Sequence, residues 1–264
     1  MFLGVKLYQL LAGTKSLGKS RLIPPQKQEV YDLGIKNNRL AGVVTYFDVQ
    51  MDEHALGKYV AEKASVAGVS IYENNPVEQV SLDGTAKKMA GNIVRADICI
   101  NATGPWVRNL LDASDVPTKF DMEYIRGSHL VINKDWYNPF LLQATSDNRV
   151  IFALPYKGKM LLGTTEVIQS SPDNPKCSNE EASYLIEEFN AVFIDQISTS
   201  DIIETFSGIR PIVKTIASKS FPSDASREAA IETIGRLINV WGGKWTSALS
   251  LSNKVLALVC DKVE

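Results

Sequence analysis

Three stretches of this chain combine residue types that can do chemistry. In Val240-Trp241-Gly242-Gly243-Lys244-Trp245-Thr246-Ser247, an apolar run from Leu237 to Trp241 meets two glycines. A lysine, two hydroxyls and apolar residues at helical spacing (Trp245, Leu249, Leu251, Val255, Leu258) come next. This reads as strand, glycine turn and helix start. A helix start presents free N–H groups and a positive dipole end to an anion or an electron-rich carbonyl, and adjacent glycines let a flat ligand approach the backbone. The same residues also suit a plain helix start with Thr246 as cap. Asp97-Ile98-Cys99-Ile100-Asn101-Ala102-Thr103-Gly104-Pro105-Trp106 repeats the grammar, with Pro105 at a favourable first helical position. Backbone donors at the carboxyl end of a strand are where open α/β sheets bind ligands.

The third stretch is a set of isolated polar residues. His129, in Arg126-Gly127-Ser128-His129, is one of only two histidines, and His54 falls on a solvent-facing helix. Arg210 lies between Gly208 and Pro211, in Ser207-Gly208-Ile209-Arg210-Pro211. Its planar fork suits a phosphate or carboxylate, or equally a buried ion pair. Glu166, after Leu162-Gly163-Thr164-Thr165, reads as either a polar site group or a turn residue. Gly13-Thr14-Lys15-Ser16-Leu17-Gly18-Lys19-Ser20 matches the phosphate-loop pattern letter for letter. That motif works only between a buried strand and a long helix. Here a helical pattern precedes it and Pro24-Pro25 follow too soon for a helix, so an exposed basic loop is expected.

Composition limits the rest. The chain has 264 residues, 28 basic and 30 acidic side chains and a formal net charge of −2, which gives no electrostatic case for nucleic acid. Cys99, Cys177 and Cys260 show no zinc spacing and no disulfide framework, which suits a reducing, cytoplasmic setting. No apolar run is long enough to span a membrane.

The elements that must position these residues follow from periodicity. Helices are expected over Phe2–Leu11, from the Asp52 cap to about Ala67, over Trp106–Leu111 and over Asn179–Phe193, and strands over Gly42–Phe47, Ser70–Glu73, Pro76–Leu82, Ile93–Ala96 and 97–104. Ile93–Ala96 is expected to pair with the strand before it. From about Phe120 strands dominate (Tyr124–Ile132, Val150–Pro155, Met160–Thr165), as in an antiparallel sheet inserted into an α/β frame. Arg227–Ile234 and Leu237–Trp241 form a hairpin around Gly235.

In this order the segments resemble the FAD-dependent glycerol-3-phosphate dehydrogenases and their oxidase relatives, in the D-amino-acid oxidase superfamily. The matching motifs are Tyr46-Phe47-Asp48 with Gln50 and Asp52, Asn101-Ala102-Thr103-Gly104-Pro105-Trp106, Arg126-Gly127-Ser128-His129, Leu162-Gly163-Thr164-Thr165, Ser207-Gly208-Ile209-Arg210-Pro211, Ser226-Arg227 and Trp241-Gly242-Gly243-Lys244-Trp245-Thr246. Glu166 stands where the family usually has aspartate, and Ser247 where threonine is usual. No Gly-x-Gly occurs anywhere, although the family opens on such a turn to hold the FAD pyrophosphate. By that comparison the chain reads as the middle of a longer enzyme, without the first βαβ unit and the C-terminal helical domain. Alone it is expected to bind FAD weakly or not at all.

The resemblance implies a mixed α/β, α+β fold: a partial Rossmann-like FAD-binding domain over 1–118, an inserted antiparallel substrate domain over 119–206, and a return to the FAD-binding domain over 207–264. It implies oxidation of sn-glycerol 3-phosphate to dihydroxyacetone phosphate, with electrons passed to quinone or oxygen, in the cytoplasm or peripherally on the inner face of the membrane. His129 would be the base or orient the reacting hydroxyl. Arg210 and Arg227 would bind the substrate, and Lys244 would sit by the flavin ring. Gly242, Gly243 and Thr246 would line the ring. Ala102, Thr103, Gly104 and Trp106 would border the phosphates and ribityl chain, and Val77 the adenine. Two rivals remain: an FAD-dependent amine or amino-acid oxidase of the same superfamily, and a non-catalytic fragment.

Overall fold

A computed structural model describes residues 2–36, 40–88, 91–216 and 229–263. In chain order the elements are α1 (Phe2–Ala12), β1 (Arg21–Ile23), α2 (Gln28–Tyr31), β2 (Val43–Thr45), α3 (Glu53–Val66), β3 (Val77–Val80), β4 (Thr85–Lys88), β5 (Ile93–Arg95), β6 (Cys99–Asn101) and α4 (Val107–Ala113). After them come β7 (Phe120–Ile132), β8 (Phe140–Gln143), β9 (Val150–Tyr156), β10 (Lys159–Gly163), β11 (Val167–Gln169), α5 (Asn179–Val192), β12 (Ile202–Thr215), β13 (Ala230–Ile234), β14 (Leu237–Trp241) and α6 (Ala248–Val263). The mixed α/β class is as expected. The chain packs as two compact units, one of residues 1–58, 129–164 and 177–205, the other of 59–128, 165–176 and 206–264.

The first unit is built on antiparallel strands. β8, β9 and β10 are hydrogen-bonded in that order, and β10 pairs with the last four residues of β7, so that Gly163 faces His129. α5 lays Ala182, Leu185, Ile186 and Phe189 against this sheet, a spacing that gathers apolar side chains on one helical face. Its start is fixed by a capping box: Ser178 Oγ accepts from Glu181 N, and Ser178 N donates to Glu181 Oε2. Glu188, almost fully buried, accepts from Thr145 N and Oγ1 and from Ser146 N. The Gly13–Ser20 loop follows α1 and leads into strand β1, not a helix, so its phosphate-loop lettering lacks the frame that motif needs.

The second unit carries a small doubly covered sheet. β6 and β14 run parallel, with Cys99, Ile100 and Asn101 opposite Leu237, Ile238 and Asn239. β13 joins β14 as the expected hairpin around Gly235, which has φ +58°. α4 packs Val107, Leu110 and Leu111 in one core with Leu237 and Trp241. On α6, Val255 packs with Ile238 and Val240 in another. β3, β4 and β5 form a separate antiparallel meander.

Several expectations change here. Residues 70–73 are turn and coil, all exposed, and among the described residues no strand pairs with them. β5 pairs with the unanticipated β4 rather than with β3. The expected strands over 42–47, 76–82 and 97–104 shorten to the three- and four-residue β2, β3 and β6. Asp52 caps α3 as expected, its Oδ1 accepting from Ala55 N at 2.9 Å.

Candidate functional site

The site residues fall into groups that local structure explains. At the carboxyl ends of β6 and β14, two glycine turns stand side by side, because the parallel register that pairs Asn101 with Asn239 carries both chains off the sheet together. Asn101 ties the two ends: its Nδ2 donates to Asn239 Oδ1 at 3.1 Å, and its Oδ1 accepts from Thr103 Oγ1 at 2.7 Å. One turn is Ala102-Thr103-Gly104, with Gly104 at φ +58°, leading through a 3-10 turn (Gly104–Trp106) into α4. The other is Gly242-Gly243-Lys244, at φ +67° and +106° for the glycines, leading through a 3-10 turn (Trp245–Ser247) into α6. Thr246 lies inside that turn. The residue at the cap position is Lys244, whose carbonyl accepts from Ser247 N at 3.0 Å, so Thr246 is not the helix cap.

This edge suits a planar, phosphate-bearing group. A Cβ built on Gly104 meets nothing within 4 Å, so its backbone can be approached closely. Lys244 and Thr246 are exposed, and Thr103 is exposed beside them. Among the described residues, Asn239 Nδ2 and Trp241 Nε1, at the end of β14, are buried donors with no hydrogen-bond partner. Val77 is exposed at the start of β3, opposite Lys88.

Beside the first turn lies a cavity of about 490 Å³, lined by Pro105, Trp106, residues 172–175 and Ser207, Gly208 and Ile209 of β12. Its rim is latched: Trp106 Nε1 donates to Asp173 Oδ1 at 2.8 Å. That bond, and after it one from Ser171, holds the Asp173 carboxyl below its ordinary range.

Arg210 follows this cavity wall on β12. Its Nη1 donates to Glu166 Oε1 at 2.7 Å, and both side chains are 37% exposed. Glu166 is therefore the ion-pair partner of Arg210 and not simply a turn residue, and the pair is half-exposed rather than buried. Hydrogen bonds fix the approach: Ser128 N donates to Thr165 Oγ1 at 2.9 Å, and the Ser128 and Ser207 hydroxyls are 2.8 Å apart.

His129 belongs to the first unit, half-buried on β7. Its imidazole lies over Gly163. A Cβ there would be 2.8 Å from Cγ and 3.0 Å from Nε2, and nearer still to Cδ2. The glycine of Leu162-Gly163-Thr164-Thr165 thus makes room for this ring. His54 is exposed on α3. Arg227 lies outside the described residues. Among the described residues, no cluster of His, Cys, Asp and Glu is arranged to hold a metal ion, and no helix is long and apolar enough to cross a membrane.

Comparison with known proteins decides the family. Residues 5–227 match the family described as FAD dependent oxidoreductase (DAO). The chain belongs to this family. FAD is the cofactor of this family, and the open backbone at Gly104 has room for a flat group. The mitochondrial glycerol-3-phosphate dehydrogenase SDP6 of Arabidopsis thaliana is 27% identical over 95% of this chain and 43% of its own length. The D-erythritol 1-phosphate dehydrogenase of Brucella abortus is 29% identical over 96% of this chain and 53% of its own. The chain thus spans about half the length of the curated relatives it matches. In fold, it superposes with TM-score 0.77 on the glycerol-3-phosphate dehydrogenase from Bacillus halodurans complexed with FAD, at 20% identity, over 98% of this chain and 55% of the other.

Proposed function

We propose that the protein containing this chain oxidises sn-glycerol 3-phosphate to dihydroxyacetone phosphate with FAD and passes the electrons to a quinone or to oxygen. The observation that carries the reading is Arg210. It is a partly exposed guanidinium on β12, next in the chain to the cavity-lining Ser207, Gly208 and Ile209, in a chain similar to dehydrogenases of polyol phosphates.

The FAD would be held along Ala102, Thr103, Gly104 and Trp106 and along Gly242, Gly243 and Thr246, with Val77 by the adenine. Bound there, it supplies the centre that accepts a hydride from C2. The chain's own residues do the remaining work. Arg210 grips the substrate phosphate, since a guanidinium fork matches phosphate oxygens through paired, charge-assisted hydrogen bonds. Arg227 is a second cation for the same dianion. His129 accepts the proton of the C2 hydroxyl at a ring nitrogen, with its ring oriented against Gly163. Lys244 supplies positive charge beside the ring system. The dianion favours two cationic contacts, which sets this reading apart from an amine or amino-acid oxidase, whose substrate offers one carboxylate.

Arg210→Ala in the active protein tests the assignment. A guanidinium that grips a desolvated anion is worth on the order of 2–5 kcal/mol when truncated, so kcat/KM falls by at least about thirtyfold. A loss below tenfold removes Arg210 from the substrate site.

A further inference from the structure

The Arg210 guanidinium already has an anion. Glu166 Oε1 sits 2.7 Å from Arg210 Nη1, and both side chains are partly open to solvent. The contact is built into the backbone. Thr165, one residue before Glu166, is 3% exposed and bonded to Ser128 through its hydroxyl. The Ser128 hydroxyl is bonded in turn to that of Ser207, three residues before Arg210 on β12. Glu166 therefore leaves the chain at a fixed point facing Arg210, while its own side chain keeps enough exposure to turn away into water. Half-exposed ion pairs of this kind contribute little to stability, so exchanging one anion for another costs little.

We propose that Glu166 is the resident counter-anion of Arg210, held on the guanidinium until an anionic substrate group displaces it, and that it sets the anion affinity of the site. This rests on the reading of Arg210 as a substrate-phosphate contact. Glu166 is a positioning residue: it acts on the substrate by occupying the arginine and by its charge. With the carboxylate in place, an arriving phosphate must break the 2.7 Å contact and meets the repulsion of a second negative charge. Removing that charge while keeping the side chain's size strengthens anion binding. A residue that merely clamped the 165–167 segment onto β12 would have the opposite effect, since its loss would loosen Arg210.

The experiment is calorimetric titration of the FAD-loaded protein containing this chain by inorganic phosphate, which cannot be oxidised. The proteins are the parent, Glu166→Gln, Glu166→Ala and Arg210→Gln, at low ionic strength. Arg210→Gln is expected to remove binding, and both Glu166 variants to bind phosphate about twofold to fivefold more tightly, the range of an ion pair worth about 0.4–1 kcal/mol. The gain shrinks as salt is added. Unchanged or weaker binding in the Glu166 variants, with native circular dichroism, overturns the proposal, and so does loss of fold in both. Phosphate binding that Arg210→Gln leaves intact overturns the reading of Arg210 and the proposal with it, as do a parent and a Glu166→Gln variant that both fail to bind. A parallel titration with sn-glycerol 3-phosphate separates the two claims: tighter phosphate binding without any binding of the ester keeps the role of Glu166 and refutes the substrate.

Discussion

Gly163→Ala is the sharpest perturbation of the His129 ring. The backbone of Gly163 is not in the left-handed region, so alanine is sterically permitted there, and on chain entropy alone the change would stabilise by about 0.4–1 kcal/mol. Packing decides otherwise. The new methyl would lie 2.8–3.0 Å from His129 Cγ and Nε2, against ordinary contact at 3.4–4 Å. Relief requires the imidazole to withdraw by about 1 Å, because the methyl is fixed to a buried strand. Overpacking of that size costs about 1–3 kcal/mol, which leaves a net destabilisation of up to roughly 2.6 kcal/mol, centred on about 1.3 kcal/mol. For a chain of this length that is a fall in Tm of a few degrees. If His129 is the base proposed above, a displacement of its ring by about 1 Å costs on the order of a hundredfold in rate. The readout is clean because the chain has two histidines, and His54, exposed on α3, serves as internal reference. Side-chain nuclear magnetic resonance is expected to move the His129 ring signals and leave those of His54 in place. Unmoved His129 signals with an unchanged Tm would show that the ring does not lie over Gly163.

Three further outcomes are expected. The Glu188 carboxyl is pushed up by burial, but hydrogen bonds from Ser146 and Thr145 outweigh this and hold it below the ordinary glutamate range. Its folded pKa is therefore below its unfolded one, so its contribution to stability is present above pH ~4.5 and is lost as pH falls through the folded pKa. Glu188→Ala should lower stability by about 2 kcal/mol or more at neutral pH and flatten the acid limb of a Tm-against-pH curve; an unaltered acid limb removes Glu188 from the account. Asp173→Ala should release the Trp106 indole and shift tryptophan emission to the red; an identical spectrum would mean the latch does not form in solution. Gly104→Ala places a methyl where φ is +58°, at a cost of about 1–2 kcal/mol, and should raise the FAD concentration needed to saturate the protein, measured by quenching of flavin fluorescence; unchanged saturation would remove that turn from the cofactor edge.

What the sequence reveals here depends on range. The β14–glycine–α6 stretch and the amphipathic α5 are legible locally, because an apolar run before glycines and an i, i+3, i+4, i+7 face each have one economical fold. β4 is not: Thr85-Ala86-Lys87-Lys88 has no apolar alternation, and it becomes a strand only because β3 and β5 offer ladders on both sides. β8 and β11 are too short to read without their partners. Residues 70–73 fail in the reverse sense, with strand-forming types and no partner. The same limit governs the site. The candidates His129, Arg210, Lys244 and the paired glycines stand out by type and motif. The meaning of Gly163 depends on a ring 34 residues earlier in the chain, and that of Glu166 on an arginine 44 residues away, separations that periodicity does not bridge.

The central claim, phosphate-directed oxidation by an FAD protein, is tested most directly by anaerobic reduction of the bound flavin. The FAD-loaded protein containing this chain is mixed without oxygen with sn-glycerol 3-phosphate, and separately with glycine and sarcosine. The account expects the yellow flavin absorbance to bleach with sn-glycerol 3-phosphate, and neither amine to bleach it. Bleaching by glycine or sarcosine while sn-glycerol 3-phosphate leaves the spectrum untouched would contradict it.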